Sequence, residues 1–295
     1  MQSTDFLSAV FFYLKEGENL NQNWNVENLN NAFSTWNGKL GELWGLVTTG
    51  PQTFKGGAVW SVMQTLHNGM VGIGYALVVL FFAISLCKNT MNFHELKRPE
   101  AAIHYFLRFV AAKALVGYGM DIMLNVFSIC NGIVTDMADS MGGISEAMVS
   151  LPAEMQTAIE NVGFLASIPL WLVTILGSLF ITVLSFVMIL TVYGRFFRLY
   201  MYTALAPLPL AAFAGESTQS VGISFLKSYV GVCLEGAVIV LACVIYSAFV
   251  STPTVASGEA TTIVWSYLAE TVFNMLVLVG LIKGSDRIIH EMMGL

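Results

Sequence analysis

Two arginines three residues apart, Arg195 and Arg198, have the clearest capacity for binding chemistry in this sequence. Residues at this spacing lie on one face of a helix. Guanidinium groups stay charged and pair bidentately with carboxylates and phosphates. With Tyr202 and other tyrosines close by, the pair is typical of an anchor at the membrane headgroups. It also fits a basic pore mouth that contacts a polyanion or a motor protein, which requires several copies around one axis.

Five further ionisable residues lie inside apolar stretches: Arg108, Lys113, Asp121, Glu235 and Glu270. A lone charge at the bilayer centre costs roughly 3 kcal/mol, so pairing is expected. From their depth along the predicted spans, Glu235 is expected to reach Arg108 or Lys113. Three roles fit these residues: buried pairs that fix helix register, the lining of an aqueous passage, or a proton relay.

Catalytic and metal chemistry find no support in the residue pattern. The cysteines form no CxxC pair or Cys/His cluster, and the four histidines are not at ligand spacing. No phosphate-binding loop, nucleophile elbow or HExxH motif is present. We therefore predict no enzyme activity, no metal and no cofactor.

The stretch after the arginines is apolar and broken by Pro207 and Pro209. Each proline removes a backbone donor, and Leu208 between them is pushed away from the α region. Irregular backbone survives in lipid only where protein covers it or where it lines a wet cavity. The pattern predicts a re-entrant element or a sixth short span over residues 199–214.

The composition is that of a membrane protein. Of the 295 residues, 56% are hydrophobic and only 11% are charged, against about 25% charged in soluble domains. Apolar runs of spanning length predict an all-α polytopic integral membrane protein with five transmembrane helices. They lie near residues 69–87, 104–130, 164–192, 229–249 and 263–282.

The polar region 1–58 is predicted to form short amphipathic helices outside the cytoplasm, and residues 59–295 to form the transmembrane domain. Loops after the first and third spans and the C-terminal tail carry Lys and Arg, whereas loops after the second and fourth carry none. This bias predicts an outer N-terminus and an inner C-terminus in the cytoplasmic membrane.

One passage makes a specific resemblance. RFFRLYMYTALAPLPLAAFAGE, followed by TQSVGISFLKSYVGVCLEGAVIVLA, resembles the TrbL-like conjugal transfer proteins of Gram-positive conjugative elements. These belong with the VirB-type polytopic inner-membrane subunits of type IV secretion systems. The resemblance runs from about the first membrane segment to the end, and it is strongest over Gly194–Ala242.

The resemblance implies a homo-oligomeric channel or channel-scaffold subunit in a lipid membrane, beside secretion ATPases and a coupling protein. Its substrate would be single-stranded DNA joined to a relaxase. The proline break and the charged spans, taken with this resemblance, predict a candidate pore, substrate or partner face formed by Arg195, Arg198, Tyr202, Pro207 and Pro209. Two alternatives stay open. One is a secondary transporter or ion channel for a small solute, suggested by the broken helix and the buried charges. The other is a non-conducting assembly scaffold.

Overall fold

A computed structural model describes residues 3–90, 99–140, 148–162, 164–249 and 260–294, with side chains over 24–88, 103–140, 148–162, 168–249 and 262–294. The described chain is all-helical, as predicted, and contains no strand. Its helices are α1 (Ser3–Thr48), α2 (Ala58–Thr90), α3 (Pro99–Gly117), α4 (Gly119–Ser140), α5 (Ala153–Glu160), α6 (Phe164–Leu205), α7 (Pro207–Ala211), α8 (Gln219–Phe249) and α9 (Ala260–Met293). Short 3-10 helices precede α2 (Phe54–Gly57) and follow α7 (Ala212–Ala214).

The N-terminal region differs from the predicted set of short helices, because α1 is one continuous helix of 46 residues. Its second half carries a stripe of buried residues spaced alternately four and three apart: Leu29, Phe33, Trp36, Leu40, Leu43 and Val47. This is the spacing of a helix seam that packs along its whole length. The prediction missed this apolar stripe because it relied on the overall polarity of the region, which its many asparagines raise.

Among the residues that the structure describes, four helices are long and apolar enough to cross a membrane, and a bent pair brings the number to five. The predicted span over residues 104–130 is this bent pair, since α3 and α4 meet at an angle of 72°. The break falls at Tyr118, between two glycines. A Cβ on Gly119 would lie 3.2 Å from Cδ1 of Leu210, so the chain turns where another segment approaches closely.

The third span is longer than predicted. Helix α6 continues past residue 192 to Leu205, so Arg195 and Arg198 lie within the helix and residues 199–205 extend it. The predicted span ended at residue 192, where the charge-free run stops. Both arginine side chains are hydrogen-bonded or ion-paired inside the protein, as described below, so α6 continues through them.

The proline break is helical as well. Pro207 occupies the first turn of α7, where a missing N–H costs nothing. The backbone N–H of Leu210 donates to the carbonyl of Ala206 at 3.1 Å. Leu208 therefore keeps α conformation, contrary to the prediction, and a single turn at Ala206 separates α6 from α7.

The chain divides into two compact units that interleave along the sequence. The first comprises Met1–Trp44, Gly142–Thr191 and Ala242–Lys283, and the second comprises Gly45–Met141, Val192–Leu241 and Gly284–Leu295. In the first unit, the Asn37 amide donates to the Val149 carbonyl at 2.8 Å and accepts from its N–H at 2.9 Å. Thr174 donates to the buried Asn25 side chain at 3.0 Å.

In the second unit, α2, α3, α7 and the 3-10 helix after α7 pack against one another. Gly74 permits the closest approach, because a Cβ there would lie 2.9 Å from the Pro207 carbonyl oxygen and 2.9 Å from Val116. The aliphatic core continues through Leu199 and Val232 on α6 and α8. This unit contains both arginines.

Candidate functional site: the arginine cluster of α6

Arg195 is completely buried, although the sequence places it at a pore mouth or a headgroup layer. Its guanidinium donates only to main-chain carbonyls. Nε reaches Val232 at 3.2 Å, Nη2 reaches Cys233 at 3.0 Å, and Nη1 reaches Val47 at 3.3 Å. The side chain therefore joins α6 to the middle of α8 and the last turn of α1, and it is unavailable to a polyanion in this conformation.

Space for this guanidinium depends on a glycine of α8. A Cβ on Gly236 would lie 2.8 Å from both Nη1 and Nη2 of Arg195, well inside van der Waals contact. Phe127 covers another side, with its ring centroid 6.0 Å from Cζ of Arg195, which is within cation–π range. Carbonyl dipoles and one aromatic face thus stabilise the guanidinium of Arg195, and the lack of a side chain at Gly236 leaves the space that it occupies.

Arg198, one turn further along, makes ion pairs instead. Its Nη2 lies 2.7 Å from both carboxylate oxygens of Glu235, and its Nη1 pairs with Asp286. Ser285 donates to Oε1 of Glu235 at 3.2 Å. The side chain of Glu235 is 1% exposed, against 28% for Arg198. We call Arg195, Arg198, Glu235, Ser285 and Asp286 the arginine cluster.

The arginine cluster is electrically balanced, since it contains two arginines and two carboxylates, both of the carboxylates paired with Arg198. A buried carboxylate requires pairing and hydrogen bonding to stay charged, and Glu235 has both. A balanced cluster presents no surplus positive charge to phosphate groups. Its geometry is that of an internal clamp that joins α6, α8 and α9 within one unit.

The remaining residues of the predicted pore or partner face pack inside the second unit. Tyr202 is half-buried, with its ring centroid 5.5 Å from that of Phe225 and 6.2 Å from that of Tyr229. Pro207 is buried and Pro209 is partly buried, both on α7. These residues and Arg195 share a helical core, so they do not form one exposed face.

Of the five charged residues predicted to form an intramembrane network, the four in the second unit, Arg108, Lys113, Asp121 and Glu235, do not pair with one another. Glu235 contacts Arg198 rather than Arg108 or Lys113, because α6 places its own arginine beside α8. Arg108 instead donates to the Gln219 side chain at 3.0 Å. Lys113, Asp121 and Glu270 are exposed on their helices.

Sequence reasoning missed several residues of this arrangement, among them Val47, Gly236 and Asp286. Asp286 lies in a tail predicted to follow the last span, yet α9 continues through it. Gly236 directly follows Glu235. A glycine beside a charged residue in an apolar run could have indicated that a large side chain from another helix packs against that position. Val47 contributes only its carbonyl, so its side-chain type carries no signal.

Within the described ranges, no group of three or more His, Cys, Asp or Glu side chains could hold a metal ion.

Comparison with family models matches residues 36–207 to the family described as TrbL/VirB6 plasmid conjugal transfer like protein. The match covers more than half of the 295 residues. The matched range begins inside the polar N-terminal region and ends at Pro207, so it includes both arginines. It begins and ends earlier in the chain than the resemblance described from the sequence. No curated protein and no solved structure matches the chain.

Proposed function

The chain belongs to the TrbL/VirB6 plasmid conjugal transfer-like family, and on that premise we propose that it is a membrane subunit of a conjugative type IV secretion system. In this role it supports the passage of single-stranded DNA, joined to a relaxase, across the cytoplasmic membrane. It works as a homo-oligomer beside the secretion ATPases and the coupling protein. The family match to the part of the chain that holds three of the candidate spans is the observation that carries the proposal.

Within that role, the arginine cluster supports a scaffolding function over direct contact with DNA. Phosphate binding draws on Lys and Arg that can displace counterions. Arg195 is fully buried, and Arg198 is neutralised by Glu235 and Asp286. The two arginines therefore shape the membrane part of the machine from within, and the transferred strand touches other surfaces or other subunits.

The first test is genetic complementation in a donor cell. Removing the gene without disturbing its neighbours should abolish transfer of the conjugative element, and the wild-type chain supplied in trans should restore it. The double variant Arg195→Gln, Arg198→Gln should restore transfer poorly, because α8 and α9 lose their connection to α6. Membrane fractionation must first show that the variant inserts. Undiminished transfer after removal of the gene would refute the proposal.

A second experiment separates scaffold from conduit. Donor cells are treated with formaldehyde during transfer, the chain is precipitated, and the transferred strand is quantified against a plasmid region that stays behind. The scaffold role predicts no enrichment of the strand on this chain. It also predicts that the other subunits fail to co-purify with one another when the chain is absent. Strong enrichment of the strand would assign direct contact instead.

A further inference from the structure

A polar cleft lies in the second unit where α4 passes the turn after α1. It has a volume of about 530 Å³ and is lined by Gly50, Pro51, Gln52, Asp121, Leu124, Asn125, Phe127, Ser128 and Asn131. One water molecule needs only roughly 15 Å³ of such space. The cleft belongs to neither the arginine cluster nor the predicted pore or partner face.

One helix face supplies most of the polar lining. Asp121, Asn125 and Ser128 follow one another at intervals of four and three residues, so they project from the same side of α4. Helix α4 belongs to the bent pair that counts as one candidate membrane span. From Asp121 to Asn131 the polar face runs about 15 Å along the axis, which is half of a bilayer core about 30 Å thick.

Within the described part of the chain, the cleft contains one buried acceptor without a hydrogen-bond partner and one carboxylate without a basic neighbour. Asn131 donates its amide to the Thr48 carbonyl at 3.1 Å, while its buried Oδ1 has no hydrogen-bond partner. Among the described residues, no basic side chain lies within ion-pair distance of Asp121. A buried acceptor without a partner costs about 1–3 kcal/mol, and hydrocarbon offers nothing to satisfy it. Water or a cation can satisfy both groups.

We propose that this face of α4 lines a water-filled cleft inside the membrane, and that the Asp121 carboxylate draws hydrated monovalent cations into it. The charge pattern of the helix agrees, since α4 carries three aspartates and no lysine or arginine. The inference goes beyond the proposed function and does not depend on it, because a wet cleft on α4 is compatible with a scaffold, a conduit or a transporter.

Thiol labelling tests the proposal directly. Asn125→Cys and Ser128→Cys are each made in a Cys87→Ser background, in which the three remaining cysteines are buried. Ile133→Cys is the matched control, because Ile133 is also exposed, at 46%, but projects from the apolar side of the same helix. Membrane vesicles are opened by freezing and thawing so that a reagent reaches both faces. The probes are trimethylammonium-ethyl and sulfonatoethyl methanethiosulfonate, one cationic and one anionic, of similar size.

Both charged reagents should modify the cysteines at residues 125 and 128 and leave the one at residue 133 unmodified. Relative to their rates with a small free thiol in solution, the cationic reagent should be favoured over the anionic one at residue 128 by about fourfold at low salt, for a unit charge roughly 10 Å away in water. Asp121→Asn should remove this preference without abolishing labelling. The proposal of a water-filled cleft is refuted if the cysteines at residues 125 and 128 are not labelled, or if the cysteine at residue 133 is labelled equally. A preference that survives Asp121→Asn overturns the role of the carboxylate. Neither result bears on DNA transfer, which is measured separately.

Discussion

At the scale of single residues, Arg195 depends on the missing side chain at Gly236. Gly236→Ala should push the guanidinium off the Val232 and Cys233 carbonyls. The resulting loss is about 1–3 kcal/mol for a buried donor left unmatched, reduced by the helix propensity that alanine adds. The expected result is a lower melting temperature of the protein in detergent.

Gly194→Ala is the control for that change. It lies next to Arg195 on α6, where a Cβ would meet nothing within 4 Å. It should match or exceed the wild type in stability, because alanine favours the helix by up to about 1 kcal/mol. Equal melting temperatures for the two variants would contradict the fitted space at residue 236.

Glu235 provides a second prediction at this scale, since its buried carboxylate relies on Arg198. Arg198→Gln should destabilise the protein by about 3 kcal/mol, because it leaves a buried charge unpaired. Asp286→Asn should cost about 1 kcal/mol or less, since Asp286 is 43% exposed and exposed pairs contribute little. Adding Glu235→Gln to Arg198→Gln should recover much of the loss. Thermal melting of the three variants and the wild type provides the measurement, and a double variant less stable than Arg198→Gln would exclude the pairing.

The sequence drew attention to Arg195 and Arg198 but predicted the wrong environment for Arg195, which is buried. The two arginines stand out because charge is scarce in an apolar chain. The burial of Arg195 could not be predicted, because it depends on main-chain carbonyls of Val47, Val232 and Cys233, which any residue type could supply. Glu235 was matched to the wrong bases, since depth along a span does not specify which helices are neighbours.

At the scale of helices, the packing of α2 on α7 depends on one of two neighbouring glycines. A Cβ on Gly74 would lie 2.9 Å from the Pro207 carbonyl oxygen, which is rigid backbone, whereas one on Gly72 would meet nothing within 4 Å. Gly74→Ala should therefore separate the helices and lower the melting temperature, and Gly72→Ala should not. Indistinguishable melting of the two variants would contradict this close approach.

Helix identity was largely predictable, and helix ends were not. Long apolar runs indicate spans because the bilayer sets a minimum length, and the number of candidate spans agrees with the prediction. The bend at Tyr118 and the continuation of α6 to Leu205 were missed, because both depend on contacts with distant segments. The prolines were expected to break the helix, yet their place in the first turn of α7 makes them compatible with it.

At the scale of the whole molecule, the distribution of Lys and Arg predicts which end faces the cytoplasm. Green fluorescent protein fused after Leu295 should fluoresce, and alkaline phosphatase at the same place should be inactive. Phosphatase inserted between residues 250 and 259, a stretch without Lys or Arg, should be active. The opposite pattern at both positions would reverse the predicted topology and show that the positive-inside bias does not govern this chain.

The family match places the chain among conjugal transfer proteins. The passage with the strongest resemblance, Gly194–Ala242, overlaps the matched residues only in part. The match ends at Pro207, before α8 and α9, which contribute Glu235, Ser285 and Asp286. The arginine cluster thus joins residues inside the matched range to residues beyond it. A sequence comparison limited to the matched range contains the cations of this cluster without their counter-ions.

The way Arg195 is held has a consequence for how this protein tolerates change over time. All three of its acceptors are peptide oxygens, which every amino acid provides, so Arg195 places no requirement on the side chains of residues 47, 232 and 233. Those side chains are restricted only by core packing, since all three are buried. The binding of this cation therefore depends on two positions, an arginine and a glycine on different helices. In related chains, we expect the three acceptor positions to vary among apolar residues, and loss of either the arginine or the glycine to accompany loss of the other.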